Sequence, residues 1–141
     1  MINSTTRSFV IARAAGRCEY CLLPQSAYEA TFPIDHIIAT QHRPDDSPEN
    51  LALSCPKCNR KKGPNLVGID PMTQALVRLY NPRTDLWSNH FRWNGPQVIG
   101  LTSCGRATIA VLDLNQVDRA RLREALIDEG VFPPPASPNR P

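Results

Sequence analysis

The chain has 141 residues, the length of one small domain with an extension, and its 41% hydrophobic and 21% charged residues exclude wholesale disorder. Its apolar runs are far shorter than the roughly 20 residues of a membrane-spanning helix, and no signal peptide is visible, so we expect a cytoplasmic protein that does not enter a membrane. The net charge of +3 is small, but residues 55–70 carry four basic side chains against one acid, so a polyanion would meet the centre of the chain.

The N-terminal half predicts a helix, a hairpin and a second helix. Residues 8–15 favour a helix that the following glycine ends. Residues 32–38 are rich in β-branched and apolar side chains, which predicts a strand. A proline-containing loop over residues 41–50 leads to a second apolar segment at residues 51–53, and residues 59–62 predict a short helix that ends at a Gly-Pro pair.

The C-terminal half predicts short strands followed by helices. Apolar segments broken by Asn-Pro and Asn-Gly-Pro predict an antiparallel meander of three strands, at residues 76–80, 86–93 and 97–101. Thr102 is predicted to cap a helix that runs to Leu112, and Asn115 to cap another that runs to Gly130. The proline-rich residues 131–141 predict a flexible tail.

Four of the five cysteines form two Cys-x2-Cys pairs, Cys18 with Cys21 and Cys55 with Cys58. Without an export signal, metal ligation is favoured over disulfides. Four thiolates close a tetrahedral coordination sphere, so the spacing predicts a structural zinc site. A redox dithiol pair, an iron–sulfur centre and unrelated buried cysteines are the alternatives. Cys104 has no partner nearby in the sequence and is interpreted as a small buried hydrophobic residue.

Three short motifs lie between and just after the cysteine pairs: Ile34-Asp35-His36-Ile37-Ile38, Glu49-Asn50-Leu51 and Cys58-Asn59-Arg60-Lys61-Lys62. Together they resemble the HNH endonuclease family over roughly residues 17 to 63. The family carries Asp-His on the first strand of a ββα-metal fold, Asn before the second strand, and His or Asn on the helix. This chain is similar to the variant with Asn at the third position. The resemblance implies an α+β fold with a ββα-metal core, a zinc knuckle, a strand meander and C-terminal helices.

The resemblance also implies a metal-dependent endonuclease that hydrolyses double-stranded DNA. His36 would act as the general base, Asp35 and Asn59 would hold a catalytic Mg²⁺ or Mn²⁺, and Asn50 would orient the loop and the base. Four basic side chains would contact phosphates: Lys57, Arg60, Lys61 and Lys62. A single site cuts one strand, so a homodimer stays open as the route to a double-strand break.

Several of these residues also have a plainer interpretation. A lone histidine after an aspartate, such as His36, is more often a structural or surface residue. Asp35 is a residue type that often hydrogen-bonds a turn, Asn50 is an ordinary turn residue, and His42 is interpreted as a solvated loop residue. The alternative functions are a zinc-stabilised nucleic-acid-binding module without cleavage and a zinc-organised protein-interaction domain. The combination of Asp35, His36, Asn50 and Asn59 favours the nuclease, because a binding module needs no base beside a metal ligand.

The sequence divides into an HNH core with the zinc site at residues 1–70, an α+β extension packed on it at residues 71–130, and the tail at residues 131–141. The extension is similar to one found in a group of uncharacterised bacterial HNH proteins. Its arginines alternate with aromatic residues that either stack on bases or form the core of a small sheet, and the small size of the domain favours the core. These residues are Arg83, Arg92 and Arg106, with Trp87, Phe91 and Trp93. His90 is expected to pack or hydrogen-bond within this half.

Overall fold

The computed structural model describes residues 2–135. Within them it is an α+β fold with three separate two-stranded antiparallel sheets, which confirms the predicted fold class. The helices are α1 (Ser4–Arg13), α2 (Pro56–Lys62), α3 (Trp87–His90), α4 (Ser103–Leu112) and α5 (Val117–Asp128). The strands are β1 (Ile34–His36), β2 (Leu51–Leu53), β3 (Val67–Ile69), β4 (Leu76–Arg78), β5 (Phe91–Asn94) and β6 (Gln97–Gly100).

Helix α1 begins four residues before the predicted start. The Asn3 side chain caps it by accepting a hydrogen bond from the Thr6 backbone N–H at 2.8 Å. Val10 lies fully buried on its inner face. Near the helix end, Arg13 Nη2 donates to the Leu51 carbonyl at 2.7 Å, so α1 lies against strand β2.

Strands β1 and β2 and helix α2 form the predicted ββα unit. Asp35 pairs with Ala52 and His36 with Leu51 across the hairpin. Helix α2 begins three residues earlier than predicted, because Cys55 acts as its N-cap and a proline occupies the first helical position. It ends at Gly63, as predicted, where the backbone turns to a φ of +51°.

The predicted three-stranded meander is corrected to two hairpins. Strand β4 pairs with β3, the strand before it in sequence, and β5 pairs with β6. The predicted strand at residues 86–93 is split, because residues 87–90 form the helical turn α3 and only Phe91–Asn94 are extended. The physical reason is that a short apolar run has the same hydrophobicity in a helical turn and in a strand, so sequence periodicity does not separate them.

The predicted N-cap residue is confirmed for α4 but not for α5. Thr102 caps α4 as predicted, since its Oγ1 accepts a hydrogen bond from the Gly105 N–H at 3.0 Å. The prediction for α5 was wrong by one residue, because Gln116 is the cap. The Asn115 side chain instead exchanges two hydrogen bonds with the backbone of Val98, at 2.8 and 2.9 Å, and so ties β6 to the start of α5.

The hydrophobic core runs continuously from the cysteine pairs into the extension. Tyr20 contacts Tyr80 edge-on with ring centroids 6.4 Å apart, and Phe132 is buried against Trp93 at 5.0 Å. Residues 136–141 of the predicted tail lie outside the described residues. No helix within residues 2–135 has both the length and the apolar character that crossing a membrane requires.

Candidate functional site

The four paired cysteines form one buried cluster. The Sγ atoms of Cys18, Cys21, Cys55 and Cys58 all lie within 4.8 Å of one another. In each pair the first sulfur accepts a hydrogen bond from the backbone N–H of the second cysteine, at 3.5 Å for Cys18 and 3.3 Å for Cys55. This donor set fits a structural zinc ion, which would join the N-terminal knuckle to the start of α2.

The Asp35 carboxylate is buried and fully engaged. It is 4% exposed, it accepts a hydrogen bond from the Tyr20 hydroxyl at 2.7 Å, and it pairs with the Lys62 ammonium at 3.2 Å. Burial raises the pKa of Asp35 above its usual value, although Lys62 and Tyr20 oppose that rise. Sequence analysis did not identify Tyr20, which is 15 residues away in the chain.

His36 lies at the end of β1 with its imidazole partly exposed. Successive side chains of a strand point to opposite faces, so His36 faces away from the buried side that Asp35 occupies. Its Nε2 lies 2.7 Å from Oδ1 of Asp46. Sequence analysis missed Asp46, and no motif spacing could have indicated it, because the irregular loop between the strands sets its position.

Asn50 fastens that loop to the end of β1. Its Oδ1 accepts a hydrogen bond from the Ile38 N–H at 2.8 Å. Its Nδ2 donates to the carbonyls of Ile38 and Asp45, at 3.0 and 2.9 Å. Asn50 therefore holds the backbone next to Asp46, consistent with the orienting role that the resemblance implies.

The remaining candidate residues lie along α2. Asn59 is half-buried, and its side chain makes no hydrogen bond in the described part of the chain. Arg60 and Lys61 are exposed and Lys57 is half-buried, whereas Lys62 is only 2% exposed. The Lys62 ammonium also donates to the carbonyls of His36 and Ile37, at 3.1 and 2.9 Å, so it fixes β1.

These residues were compared with known protein families. Residues 18–65 match the family model described as HNH endonuclease. This segment is an HNH domain. Septu protein PtuB of Bacillus thuringiensis is 30% identical over 105 residues, covering 73% of this chain and 38% of the relative. The chain therefore spans less than two fifths of that protein's length. No solved structure gives a significant match.

The HNH domain does not present Asp35 as a free cation ligand. Both carboxylate oxygens are within reach of Lys62, and one also accepts from Tyr20. Among residues 2–135, two groups of three or more acidic, histidine or cysteine side chains bring their ligand atoms within 4.8 Å of one another, and neither contains Asp35 or His36. As arranged, the residues implied to hold a catalytic cation do not fit one.

The second group lies outside the HNH domain and consists of Asp85, His90 and Cys104. Cys104 is buried, as predicted, but it does have close polar neighbours. His90 Nδ1 lies 2.6 Å from the Thr102 hydroxyl, as expected for a histidine hydrogen-bonded within this half. Arg78 binds both oxygens of Asp85, at 2.6 and 3.0 Å. The carboxylate of Asp85 therefore already has a cationic partner in the exposed Arg78 guanidinium.

Two of the three arginines singled out in the extension form ion pairs within the molecule. Arg83 pairs with Glu19 in the zinc knuckle of the HNH domain, and Arg106 binds Asp70 through two hydrogen bonds, at 3.0 and 2.9 Å. Arg92 is exposed. His42 is exposed as predicted, and its Nε2 donates to the Pro64 carbonyl at 2.9 Å.

The aromatic residues of the extension pack on each other. Trp87 stacks on Trp93 with centroids 5.2 Å apart and contacts Phe91 at 5.0 Å. The Trp87 Nε1–H donates to the Tyr20 carbonyl of the HNH domain at 3.0 Å. This arrangement agrees with the prediction that these aromatic residues form a core.

Proposed function

We propose that this protein is an HNH endonuclease that hydrolyses phosphodiester bonds in double-stranded DNA, with His36 as the general base. The observation that carries the proposal is the contact between His36 Nε2 and the Asp46 carboxylate at 2.7 Å. A base oriented by a neighbouring carboxylate is the usual arrangement in sites that activate a nucleophile.

The contact with Asp46 assigns the roles of the two imidazole nitrogens. An ionised carboxylate only accepts hydrogen bonds, so Nε2 carries the ring proton and donates a hydrogen bond to Asp46. Nδ1, which has no hydrogen-bond partner within residues 2–135, is then the atom that accepts a proton from water. The resulting hydroxide attacks the phosphorus atom and the bond to the leaving oxygen breaks. That oxygen takes up a proton from solvent, and His36 returns to solvent the proton that it accepted.

The exposed side of α2 supplies the phosphate contacts in this proposal. Arg60 and Lys61 extend into solvent, and Lys57 precedes them on the same short helix. Such contacts give salt-dependent binding without sequence preference. Lys62, which the sequence analysis grouped with them, holds Asp35 and β1 in this structure and is left out of the proposed phosphate surface.

The proposed mechanism assigns no step to a cation at Asp35, because Lys62 and Tyr20 occupy its carboxylate. The HNH resemblance implies Mg²⁺ or Mn²⁺ at Asp35 and Asn59, and binding there would require Asp35 to leave Lys62. Cleavage assays of the zinc-loaded protein with Mg²⁺, with Mn²⁺ and without any added divalent cation measure whether cleavage requires a catalytic cation.

The proposal is tested on supercoiled plasmid with zinc-loaded protein. We expect open-circular or linear DNA from the wild type, at least 100-fold slower cleavage by His36→Ala, and an intermediate loss with Asp46→Asn, since general-base catalysis typically contributes 10²–10⁴-fold. His42→Ala is the matched control, because it removes an exposed loop histidine only six positions away. Equal cleavage by wild type and His36→Ala, or equal loss with His42→Ala, would refute the assignment of the base.

The buried Lys62–Asp35 pair favours one second candidate, a zinc-stabilised module that binds nucleic acid without cutting it. This candidate predicts no cleavage with any metal but salt-sensitive DNA binding. In a fluorescence anisotropy titration, Lys61→Ala should weaken that binding and lower the salt slope by about one, as expected for one lost phosphate contact.

A further inference from the structure

Two arginines of α5 are buried without a carboxylate partner. Arg119 is 3% exposed and Arg123 is fully buried. Neither forms an ion pair with an acidic side chain within residues 2–135. A guanidinium remains protonated at any physiological pH, so two positive charges lie inside the molecule. Buried charges are costly unless a group of opposite charge compensates them.

The compensating groups lie in the cysteine cluster. Arg119 Nη1 donates to the Sγ of Cys58 at 2.9 Å, across a sequence separation of 61 residues. Burial lowers the pKa of Arg123, and the nearby Cys21 and Cys58 thiolates oppose that fall. A zinc ion bound by four thiolates keeps two net negative charges, which two guanidinium groups offset.

The position of Arg119 along α5 supports this pairing. It lies in the first turn, where the helix dipole disfavours a positive charge, so a nearby negative group must compensate. Arg123 follows four residues later and therefore lies on the same face. The buried residues of α5 are these two arginines and Ala120, while Leu122, Leu126 and Ile127 pack partly buried against the core.

Backbone carbonyls also bind the two guanidinium groups, although Arg119 Nε and Arg123 Nη1 have no hydrogen-bond partner within residues 2–135. Arg119 Nη2 donates to the carbonyls of Leu112 and Asp113, and Arg123 donates to the carbonyls of Leu114 and Pro96, at 2.7 and 2.8 Å. These bonds fix each guanidinium, but carbonyls carry only partial charges. The Cys58 thiolate supplies Arg119 with the full negative charge that the carbonyls lack.

We propose that Arg119, supported by Arg123, is an outer partner of the zinc–tetrathiolate centre that slows zinc release and couples docking of α5 to metal occupancy. The N–H donor to Cys58 lowers the electron density on that sulfur, so the thiolate is a poorer target for protons and competing metals. The extension thus contributes directly to the metal site of the HNH domain. This inference does not depend on nuclease activity.

The test compares full-length Arg119→Met with Arg121→Met, which removes an exposed arginine from the same helix. Zinc affinity and release are followed by competition with a chromogenic chelator. We expect 10–100-fold weaker zinc binding for Arg119→Met, the usual effect of removing an outer-shell partner, and less than a twofold change for Arg121→Met. Wild-type zinc affinity in a folded Arg119→Met protein would overturn the proposal.

A spectroscopic measurement separates this role from a merely structural one. In cobalt-substituted protein, the sulfur-to-cobalt charge-transfer band reports the electron density on the thiolates. Arg119→Lys keeps the charge but not the planar fork, so we expect a shifted band and faster cobalt loss in a protein of native helix content. If Arg119→Met does not fold even with saturating zinc, the Arg119→Lys variant tests the proposal instead. An unchanged charge-transfer band in Arg119→Lys would then overturn the proposal.

Discussion

Lys61 and Lys62 are adjacent in sequence but have different environments. Lys61 extends into solvent from α2, whereas the Lys62 ammonium is buried between Asp35 and two carbonyls of the chain around β1. The difference follows from the helical period, which places neighbouring residues about 100° apart on the helix surface. One residue step therefore separates a solvent-exposed charge from a buried one that binds Asp35 and the backbone at the end of β1.

Replacing Lys62 should therefore destabilise the protein strongly. We expect Lys62→Met to lower the free energy of unfolding by about 3–5 kcal/mol, because it leaves the buried Asp35 carboxylate without its counter-charge. Urea unfolding at neutral pH with zinc present measures this change. Lys61→Met is the matched control and should change stability by less than about 0.5 kcal/mol. Similar stabilities for the two variants would contradict the internal role of Lys62.

The β3–β4 hairpin depends on one acid that joins it to α4. Asp70 lies directly after β3, accepts a hydrogen bond from the Met72 N–H at 2.9 Å, and is fully buried against Arg106 of α4. The Arg106 guanidinium and these hydrogen bonds lower the pKa of Asp70 from 3.8 to about 2. Asp70 thus shapes the turn and connects the hairpin to α4 at the same time.

The lowered pKa sets the pH range in which Asp70 stabilises the fold. A carboxyl group whose pKa is lower in the folded state stabilises it above the unfolded pKa, here 3.8, and loses that effect as the pH falls towards about 2. We expect Asp70→Asn to lower the Tm by the same amount between pH 5 and 8 and by a smaller amount below about pH 4. Thermal unfolding of both proteins across that range is the measurement, and a Tm difference that grows on acidification would contradict it.

At the scale of the whole molecule, the cysteine cluster joins segments that are far apart in sequence. It links the N-terminal knuckle to α2, and Arg119 adds α5. Glu19, between the first two cysteines, pairs with Arg83, and the Tyr20 carbonyl accepts from Trp87. Loss of the metal should therefore affect both halves of the chain.

Zinc removal should unfold the protein cooperatively. We expect one zinc ion per chain. A strong chelator should remove it and abolish the helical circular dichroism signal, because the free energy of zinc binding contributes directly to the free energy of folding in such sites. Cys104→Ser is the control: it should keep the single zinc ion and the wild-type Tm within a few degrees. A metal-free chain with an unchanged spectrum, or a zinc content that falls in Cys104→Ser, would contradict this account.

The sequence by itself determined the features that depend on local spacing. Two Cys-x2-Cys pairs specify a tetrathiolate centre because each pair forms its own turn with an N–H···S hydrogen bond. The apolar, β-branched residues around Asp35 and His36, the second apolar segment at residues 51–53 and a short helix after the second cysteine pair indicate the ββα order. The Thr102 cap of α4 was equally predictable, since a capping hydrogen bond spans only three residues.

The tertiary structure alone decided which charges meet. Lys62 reaches Asp35 across 27 residues and Arg119 reaches Cys58 across 61, and no local pattern encodes either distance. The pairing of β4 with β3 likewise depends on how α4 covers the hairpin. Packing buries these charged side chains and brings each one to a group of opposite charge. Burial depends on how the whole chain packs, so a local sequence pattern does not reveal it.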